Sequence, residues 1–339
     1  MKKALLFLVF LFIGIGLFVC ILKSVGWRAI ENALASFTGR QGLAIFGLTA
    51  LMAIIGTWKW REILKGEEVK VSFRDLLKPS IAGYSIMFLA PILVLGAEVF
   101  RGYFLKEKKQ VPWSKGMASG FIDLILEYSV NLVVVLLGIL FFLYKIGFPS
   151  QELLIIFSVI FSFFVFGILF FYFKAFKRES MARSALGILG LKNHNHANSI
   201  LEIEKEIFNF FGLRKKAMWK SFGLTFLRAF VMYLRAWVLV LFLGKNLGGL
   251  LALSLLSFTY IAVTIPIPAA LGSHEVIQTF AFNSLGLGAP TATAYTMIIR
   301  GAELTVSLIG VIFLFQIGLG LLEKAILKKD NNFNNLREN

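Results

Sequence analysis

Ten ionisable side chains fall inside or beside the long apolar runs of this chain: Glu98 and Arg101, Asp123 and Glu127, Arg228 and Arg235, His274 and Glu275, Arg300 and Glu303. Arg300 and Glu303 lie three residues apart and Asp123 and Glu127 four apart, so each pair shares a helix face. Arg228 and Arg235 are separated by two helical turns along one face. A lone charge at a bilayer centre costs at least ~2.5–3.5 kcal/mol on insertion scales, so groups like these pair with one another or line a wet cavity. Two readings follow. Arg235, Arg300, Glu275 and Glu303 lock helices together by ion pairing, or they form a polar site that receives a charged head group. With Asp123 protonated, the cations exceed the remaining carboxylates, which favours an anionic ligand. Arg228 can snorkel to the aqueous side where Lys220 sits, whereas Arg235 is too deep in its run to do so easily.

Other chemistries lack their residues. There is no Gly-rich phosphate loop, zinc-ligand spacing or nucleophile elbow. His194 and His196 flank Asn195 in a polar stretch and read as a solvated turn. His274 reads as a hydrogen-bonding residue at a helix start. Cys20 is the single cysteine, which excludes an internal disulfide and a thiolate metal cluster. No catalytic residue, metal or cofactor is expected.

The backbone around two of the charged groups is broken. Pro266, Pro268 and Gly272 precede His274 and Glu275, and Pro91 and Gly96 precede Glu98 and Arg101. Proline removes a backbone donor, and broken backbone at membrane depth is tolerated only where it is buried in protein or lines a cavity.

The elements that must hold these groups are apolar helices. Of 339 residues 58% are hydrophobic and 16% charged, with 36 Phe; soluble domains carry roughly 25% charged residues. The chain reads as an all-α polytopic membrane protein. The net charge of +16 reflects basic cytoplasmic segments and gives no reason to expect nucleic acid. Ala4 to Leu22 follows Lys2 and Lys3 without a cleavage site, and Val19 spoils a lipoprotein box before Cys20, so this is an uncleaved first span. Gln41 to Trp60 is the second, with Trp58-Lys59-Trp60-Arg61 as an interfacial girdle. Later runs are 76–97, 117–144, 153–173, 221–243, 249–265, 269–287 and 292–322.

Single crossings by every run put the basic segments 59–78 and 101–115 on opposite sides. The conflict disappears if residues 76–105 form a re-entrant hairpin turning near Pro91, and residues 249–287 a second one, entered from outside and turning near Pro266 and Pro268. Then 27 of the 35 Lys and Arg lie inside and 5 outside, with Arg228, Arg235 and Arg300 in the membrane. The result is about six full spans plus two hairpins in a single domain, 1–339, built as inverted repeats of about 1–144 and 153–322. Both termini are cytoplasmic, with a basic loop at 174–220 and a tail at 323–339. Within that loop Ser199 and Glu202 have capping-box form. Ile200, Ile203, Ile207, Phe208 and Phe211 make one face of a helix that lies on the leaflet or packs under the bundle.

At these residues the chain resembles a known family. Pro266-Ile267-Pro268-Ala269-Ala270-Leu271-Gly272-Ser273-His274-Glu275 is similar to the P-x-P-G-G-x-G-x-x-E segment of the lysylphosphatidylglycerol synthase transmembrane, or flippase-like, family. Arg300 matches the arginine about 25 residues beyond it. Pro91, Gly96, Glu98 and Arg101 resemble the family's earlier P-x-x-x-G-E-x-x-R segment. Ala269 and Ala270 stand where glycines are usual, and Asp123 and Glu127 stand where a Glu–Arg pair is usual, which questions any mechanism that needs a cation there. The family's founding proteins continue into a soluble aminoacyl-transferase domain for which 339 residues leave no room. The resemblance therefore implies the lipid-translocating half alone, in a cell membrane.

The expected function is movement of an anionic phospholipid or polyprenyl-phosphate-linked lipid between leaflets. Arg300, Arg235 and Arg101 would serve the head group with Glu275, Glu303 and Glu98, on hairpin backbones shaped by Pro91, Gly96, Pro266, Pro268 and Gly272. Enzymes of lipid or glycan synthesis are the protein partners this implies. The alternatives are a membrane-embedded lipid-modifying transferase with Asp123 or Glu127 as base, or a secondary transporter of a small anion. DedA-type flippases also oppose two hairpins but are much shorter.

Overall fold

A computed structural model describes residues 27–35, 37–91, 93, 95–147, 151–188, 197–212 and 215–335, with residues 19 and 23. Nearly all of the first apolar run, and His194 and His196, lie outside the described residues. Twelve α-helices make up the described architecture: α1 (Trp27–Ala35), α2 (Gly39–Gly66), α3 (Phe73–Leu89), α4 (Gly96–Lys109), α5 (Trp113–Ile146), α6 (Gln151–Lys177), α7 (Met181–Ile188), α8 (Ala197–Phe210), α9 (Lys216–Phe242), α10 (Gly249–Val263), α11 (Ser273–Ser284) and α12 (Ala289–Asn335). Among the described residues α2, α5, α9 and the first 31 residues of α12 are long and apolar enough to cross a bilayer. Helix α6 adds 27 residues, and its Phe163 and Phe166 face outward, as side chains do against hydrocarbon. This is a multi-pass helical membrane architecture. Helix α12 runs on through much of the segment expected as a tail, to Asn335.

Local chemistry sets the breaks. Thr38 and Gln41 form a capping box that opens α2, and the Ser72 hydroxyl accepts from the Asp75 N–H to open α3. Helix α3 stops at Leu89, and the chain turns through Pro91 to restart at Gly96. A side chain at Gly96 would meet Leu93 Cβ at 2.9 Å. Helix α10 stops at Val263, and the chain passes through Pro266 and a single 3-10 turn at Pro268–Ala270 before α11. Here Ala269 and Ala270 hold the left-handed conformation (φ 52° and 46°), and Gly272 has φ 78°. The backbone shape that glycines adopt freely is thus kept by two alanines. The proline breaks expected from sequence are real turns between short helices: α3 with α4, and α10 with α11.

These two helix pairs pack in the same pattern. The first arm of each crosses to the long helix of the other half: α3 lies along α12 and α10 along α5. The second arms return to their own half, α4 on α5 and α11 on α12, while α2 and α9 face each other between them. Small residues allow the crossings. Ser85 donates to the Ser307 carbonyl at 2.7 Å where α3 meets Gly310 of α12. Ser254 and Ser257 donate to the Gly138 and Val134 carbonyls at 2.9 and 3.0 Å where α10 meets α5. Close approach through small residues and interhelical hydrogen bonds is how helices associate when lipid removes the hydrophobic driving force.

At the end of the bundle where α2 stops, α8 docks on the protein. Ile207, Phe208, Phe210 and Phe211 are buried with Ile63, Ala118, Ile122 and Met218. Of the two placements open for this helix, packing beneath the bundle is the one observed, although Ile200 remains exposed. The capping-box reading of Ser199 and Glu202 fails, because α8 already includes Ala197 and Asn198. Glu204, two residues beyond Glu202, instead accepts the Met181 and Ala182 amides at 2.7 and 2.8 Å and caps α7.

Candidate functional site

The charged residues separate into two clusters joined by α9. The first takes Lys59 from α2, Glu98 and Arg101 from α4, Asp123 and Glu127 from α5, and Arg228 from α9. The Lys59 ammonium, 1% exposed, reaches Asp123 at 2.7 Å and also contacts Glu127. Arg228 contacts the same Oε1 of Glu127 that Lys59 reaches. Arg101 spans Asp123 at 3.0 Å and Glu98 at 3.3 Å, and its guanidinium lies over the Trp60 ring, whose indole N–H donates to Ser119. Three cations therefore meet three carboxylates.

This corrects three expectations. Lys59 and Trp60 are not part of an interfacial girdle: both are buried, because two carboxylates on α5 need the ammonium more than water does. Arg228 is tied to Glu127, so it does not snorkel. Asp123 is held by two cations and so is not the neutral acid on which the count of excess cations rested. The cation missing from α5 is supplied by α2 and α4. An unmatched Asp123–Glu127 face in an apolar run was the signal that a partner had to exist, and nothing in the sequence said it was Lys59.

The second cluster takes Arg235 from α9, Arg300 and Glu303 from α12, and His274 and Glu275 from α11. Glu303 bridges the two arginines, accepting from Arg235 at 2.8 Å and from Arg300 at 3.0 Å. Arg235, 1% exposed, spends its second nitrogen on the Thr49 hydroxyl at 3.0 Å. The Arg300 guanidinium lies over Phe88, from the last turn of α3. Its Nε and Nη2 are buried without a protein partner, as are both ring nitrogens of His274. His274 is fully buried and has Arg300 and Arg235 as its charged neighbours. Glu275 forms no ion pair among the described contacts. Its carboxylate accepts the Gly272 N–H at 2.7 Å, which closes the turn at the start of α11. Gln278, one turn farther, pins α11 to α10 through the Leu255 carbonyl and the Thr259 hydroxyl at 3.0 and 2.8 Å.

Tyr84 and Tyr260 lie between the clusters. The charged neighbours of Tyr84 are Glu303, Arg235, Arg300 and Arg228, and those of Tyr260 are Glu127, Arg228 and Arg235. Polar groups thus run along α9 from one cluster to the other. Among the described residues no group of three His, Cys, Asp or Glu side chains is placed to hold a metal ion. The proposed head-group residues do not form one site: Arg101 and Glu98 belong to the first cluster, and Arg235, Arg300, Glu303 and Glu275 to the second.

A family model described as the lysylphosphatidylglycerol synthase TM region matches residues 5–310. The chain belongs to this family. Its similarity to curated relatives extends over almost their whole length. A UPF0104 membrane protein of Methanocaldococcus jannaschii is 23% identical over 335 residues, covering 96% of each chain. A UPF0104 membrane protein of Pyrococcus horikoshii is 27% identical over 324 residues, covering 88% of this chain and 92% of the relative. For this family member, the Pro-Ile-Pro-Ala-Ala-Leu-Gly segment is the turn that leads into His274 and Glu275 at the start of α11, with alanines in the left-handed positions.

Proposed function

We propose that this protein moves an anionic phospholipid, or a lipid linked to a polyprenyl phosphate, between membrane leaflets, and that the second cluster binds its head group. The observation that carries this reading is the unpaired Nε–Nη2 edge of Arg300, buried beside a His274 whose ring nitrogens are also unpaired. Buried polar atoms are nearly always hydrogen-bonded, so a set of unpaired donors on one cation is a place for an anion. In the first cluster Arg101 and Arg228 each leave one buried nitrogen, Nε, unpaired, against two on Arg300. That cluster holds α2, α4, α5 and α9 together and is the structural counterpart of the site.

The topology that serves this function is an inverted repeat with two re-entrant hairpins. Helices α3, α4, α10 and α11 have 17, 14, 15 and 12 residues, all short of the ~20 needed to span a bilayer as helix. The reciprocal packing of α3 on α12 and α10 on α5 supports the same reading; in this topology Lys and Arg gather on the cytoplasmic side, where both termini lie beneath a cell membrane. Paired broken helices in corresponding halves mark the midplane sites of many transporters. A lateral groove of 420 Å³ between α2 and α12, bounded by Phe46, Ile298 and Gly301, offers an apolar surface for a lipid chain on the face of α12 turned away from Arg300. Enzymes that make or consume the lipid are the expected partners.

Reconstitution into proteoliposomes with a fluorescent anionic phospholipid tests the proposal, by bleaching of the outer leaflet with dithionite. Arg300→Ala should reduce scrambling at least tenfold, and Glu275→Gln should reduce it by loosening the α10–α11 turn. Transport unchanged in Arg300→Ala would sink the assignment. Flux of a small soluble anion, with no movement of lipid, would move the function to anion transport.

A further inference from the structure

We propose that the cavity where α3, α4 and α12 meet binds an anionic phospholipid of the surrounding leaflet, with the phosphate among its cations and the acyl chains along α12. It is separate from the head-group site proposed above. The cavity measures about 370 Å³ and is bounded by Arg74, Lys78, Lys108 and Lys109, and by the apolar Phe104 and Ile317. Arg74 and Lys78 come from the start of α3, and Lys108 and Lys109 from the end of α4. The two basic segments that flank the first helix pair thus converge on one place. Among its lining residues the four cations face one carboxylate, Asp75, which Lys109 already takes at 2.7 Å.

Lys78 meets neutral groups instead, the Gln316 amide oxygen at 3.4 Å and the Phe313 ring at 5.6 Å. Arg74 is exposed and forms no ion pair among the described contacts. Cations lining one cavity repel one another unless an anion lies among them, and lipid phosphates are what basic pockets between membrane helices take. The wall beside the cavity makes that anion a lipid. Gln316 lies within the apolar span of α12, which runs to Leu319, so the cavity sits at the edge of the hydrocarbon and not out in water. Ile312 and Leu319, four residues before Gln316 and three beyond it, share its helix face and are 56% and 66% exposed. They offer acyl chains a surface that a nucleotide or an acidic peptide cannot use.

This place is not the second cluster. From Gln316 to Arg300 along α12 is about 24 Å at the rise of a helix. Between them Ser85 closes α3 on α12 through the Ser307 carbonyl at 2.7 Å. The cavity joins α3, α4 and α12, so a bound lipid ties the first helix pair to the long helix of the other half and stabilises the native chain.

The test is equilibrium binding to the purified full-length chain in mixed micelles, with bound lipids counted by native mass spectrometry. The probes are phosphatidylglycerol, phosphatidylcholine and inorganic phosphate, and Arg300→Ala is the background, so that the head-group site does not contribute. Phosphatidylglycerol should bind at least tenfold more tightly than phosphatidylcholine and stay bound in an excess of inorganic phosphate. Arg74→Gln with Lys78→Gln should weaken phosphatidylglycerol about tenfold or more and bring the two lipids within threefold of each other. Lys216→Gln with Lys220→Gln, exposed cations at the start of α9, should change neither lipid by more than twofold.

Displacement by inorganic phosphate would overturn the lipid in favour of a free anion. Equal binding of the two lipids, unchanged affinity in Arg74→Gln with Lys78→Gln, or equal loss in both double variants would overturn the site. Phosphatidylglycerol bound by the wild type and absent from Arg300→Ala would also overturn it, and leave the head-group reading standing. If Arg300→Ala does not fold, the double variants are read on the wild type, where loss of one bound phosphatidylglycerol in the first and none in the second is the expected result.

Discussion

Glu303→Gln probes the bridge on which the second cluster depends. Glu303 sits 2.8 Å from Arg235 and 3.0 Å from Arg300, with side chains 11%, 1% and 11% exposed. Neutralising it leaves two guanidiniums about 6 Å apart, and at an effective dielectric of 20 their repulsion is about 3 kcal/mol. Removing one partner from a buried charge cluster generally costs about 3–5 kcal/mol, so the two routes agree on the size of the loss. An ordinary interhelical hydrogen bond in a membrane protein contributes only about 0.6 kcal/mol, which separates the outcomes well. The assay is equilibrium unfolding in mixed micelles of wild type, Glu303→Gln, Arg235→Met and the double variant. Arg235→Met removes one of the stranded cations, so the double variant should recover at least ~2 kcal/mol relative to the sum of the single losses. A loss near 0.6 kcal/mol, or a coupling under ~0.5 kcal/mol, would refute the reading of Glu303 as an ionic bridge.

Other predictions concern backbone, packing and pH. Ala269→Gly and Ala270→Gly should each stabilise the chain by about 0.5–1 kcal/mol in the same assay, because left-handed alanine costs ~1–2 kcal/mol and glycine's extra unfolded-state entropy offsets only ~0.5–1 of it; destabilisation would contradict the strained turn. Gly120→Ala should lose about 1–3 kcal/mol, since its new Cβ would lie 2.9 Å from Glu98 Cβ. Gly223→Ala, with nothing within 4 Å of the added atom, should gain about 0.5–1 kcal/mol. Glu67, 3% exposed, follows α2 at the α8 end of the bundle, and its carboxyl is pushed up to about 8, first by burial and then by Glu206 beside it. Its folded pKa exceeds its ordinary value, so the native chain holds a proton that the unfolded chain releases. Stability should therefore fall as pH rises from about 4.5 to about 8 and level off above. Glu67→Gln should flatten that slope, measured as unfolding midpoints across the range.

What could be read before the structure was the break points and the charged faces. Proline followed closely by glycine in an apolar run fits one kind of segment only, so the turns at Pro91 and at Pro266–Gly272 were legible. Arg300 and Glu303 were paired by helix spacing alone. The partners that cross between helices were not legible, because spacing along one helix says nothing about which neighbour arrives. Lys59 looked interfacial because it has tryptophans on either side, and burial against Asp123 and Glu127 overrides that local signal. Glu275 looked like the partner of an arginine and is a cap for Gly272 instead, which is a choice made by a backbone N–H that every sequence contains. The division of six head-group candidates into two clusters follows from α9 carrying Arg228 and Arg235 ten or so ångströms apart, a distance readable from sequence, to partners that are not.

The crossing of α3 onto α12 also sets a timetable for biogenesis. Ser85 finds the Ser307 carbonyl across 222 residues of chain, and at ~5–20 residues per second a ribosome needs roughly 10–45 s to supply that partner. Until then the 17-residue helix α3 has its hydroxyl and its small-residue face toward lipid or toward the insertion machinery, with no long helix to lie against. Helix α10 faces no such wait, because α5 is already in the membrane when it emerges. The second helix pair is not finished sooner, because its other member, α11, packs on α12 as well; a nascent chain stopped before α12 has α4 and α10 seated on α5 and leaves α3 and α11 waiting for the same helix.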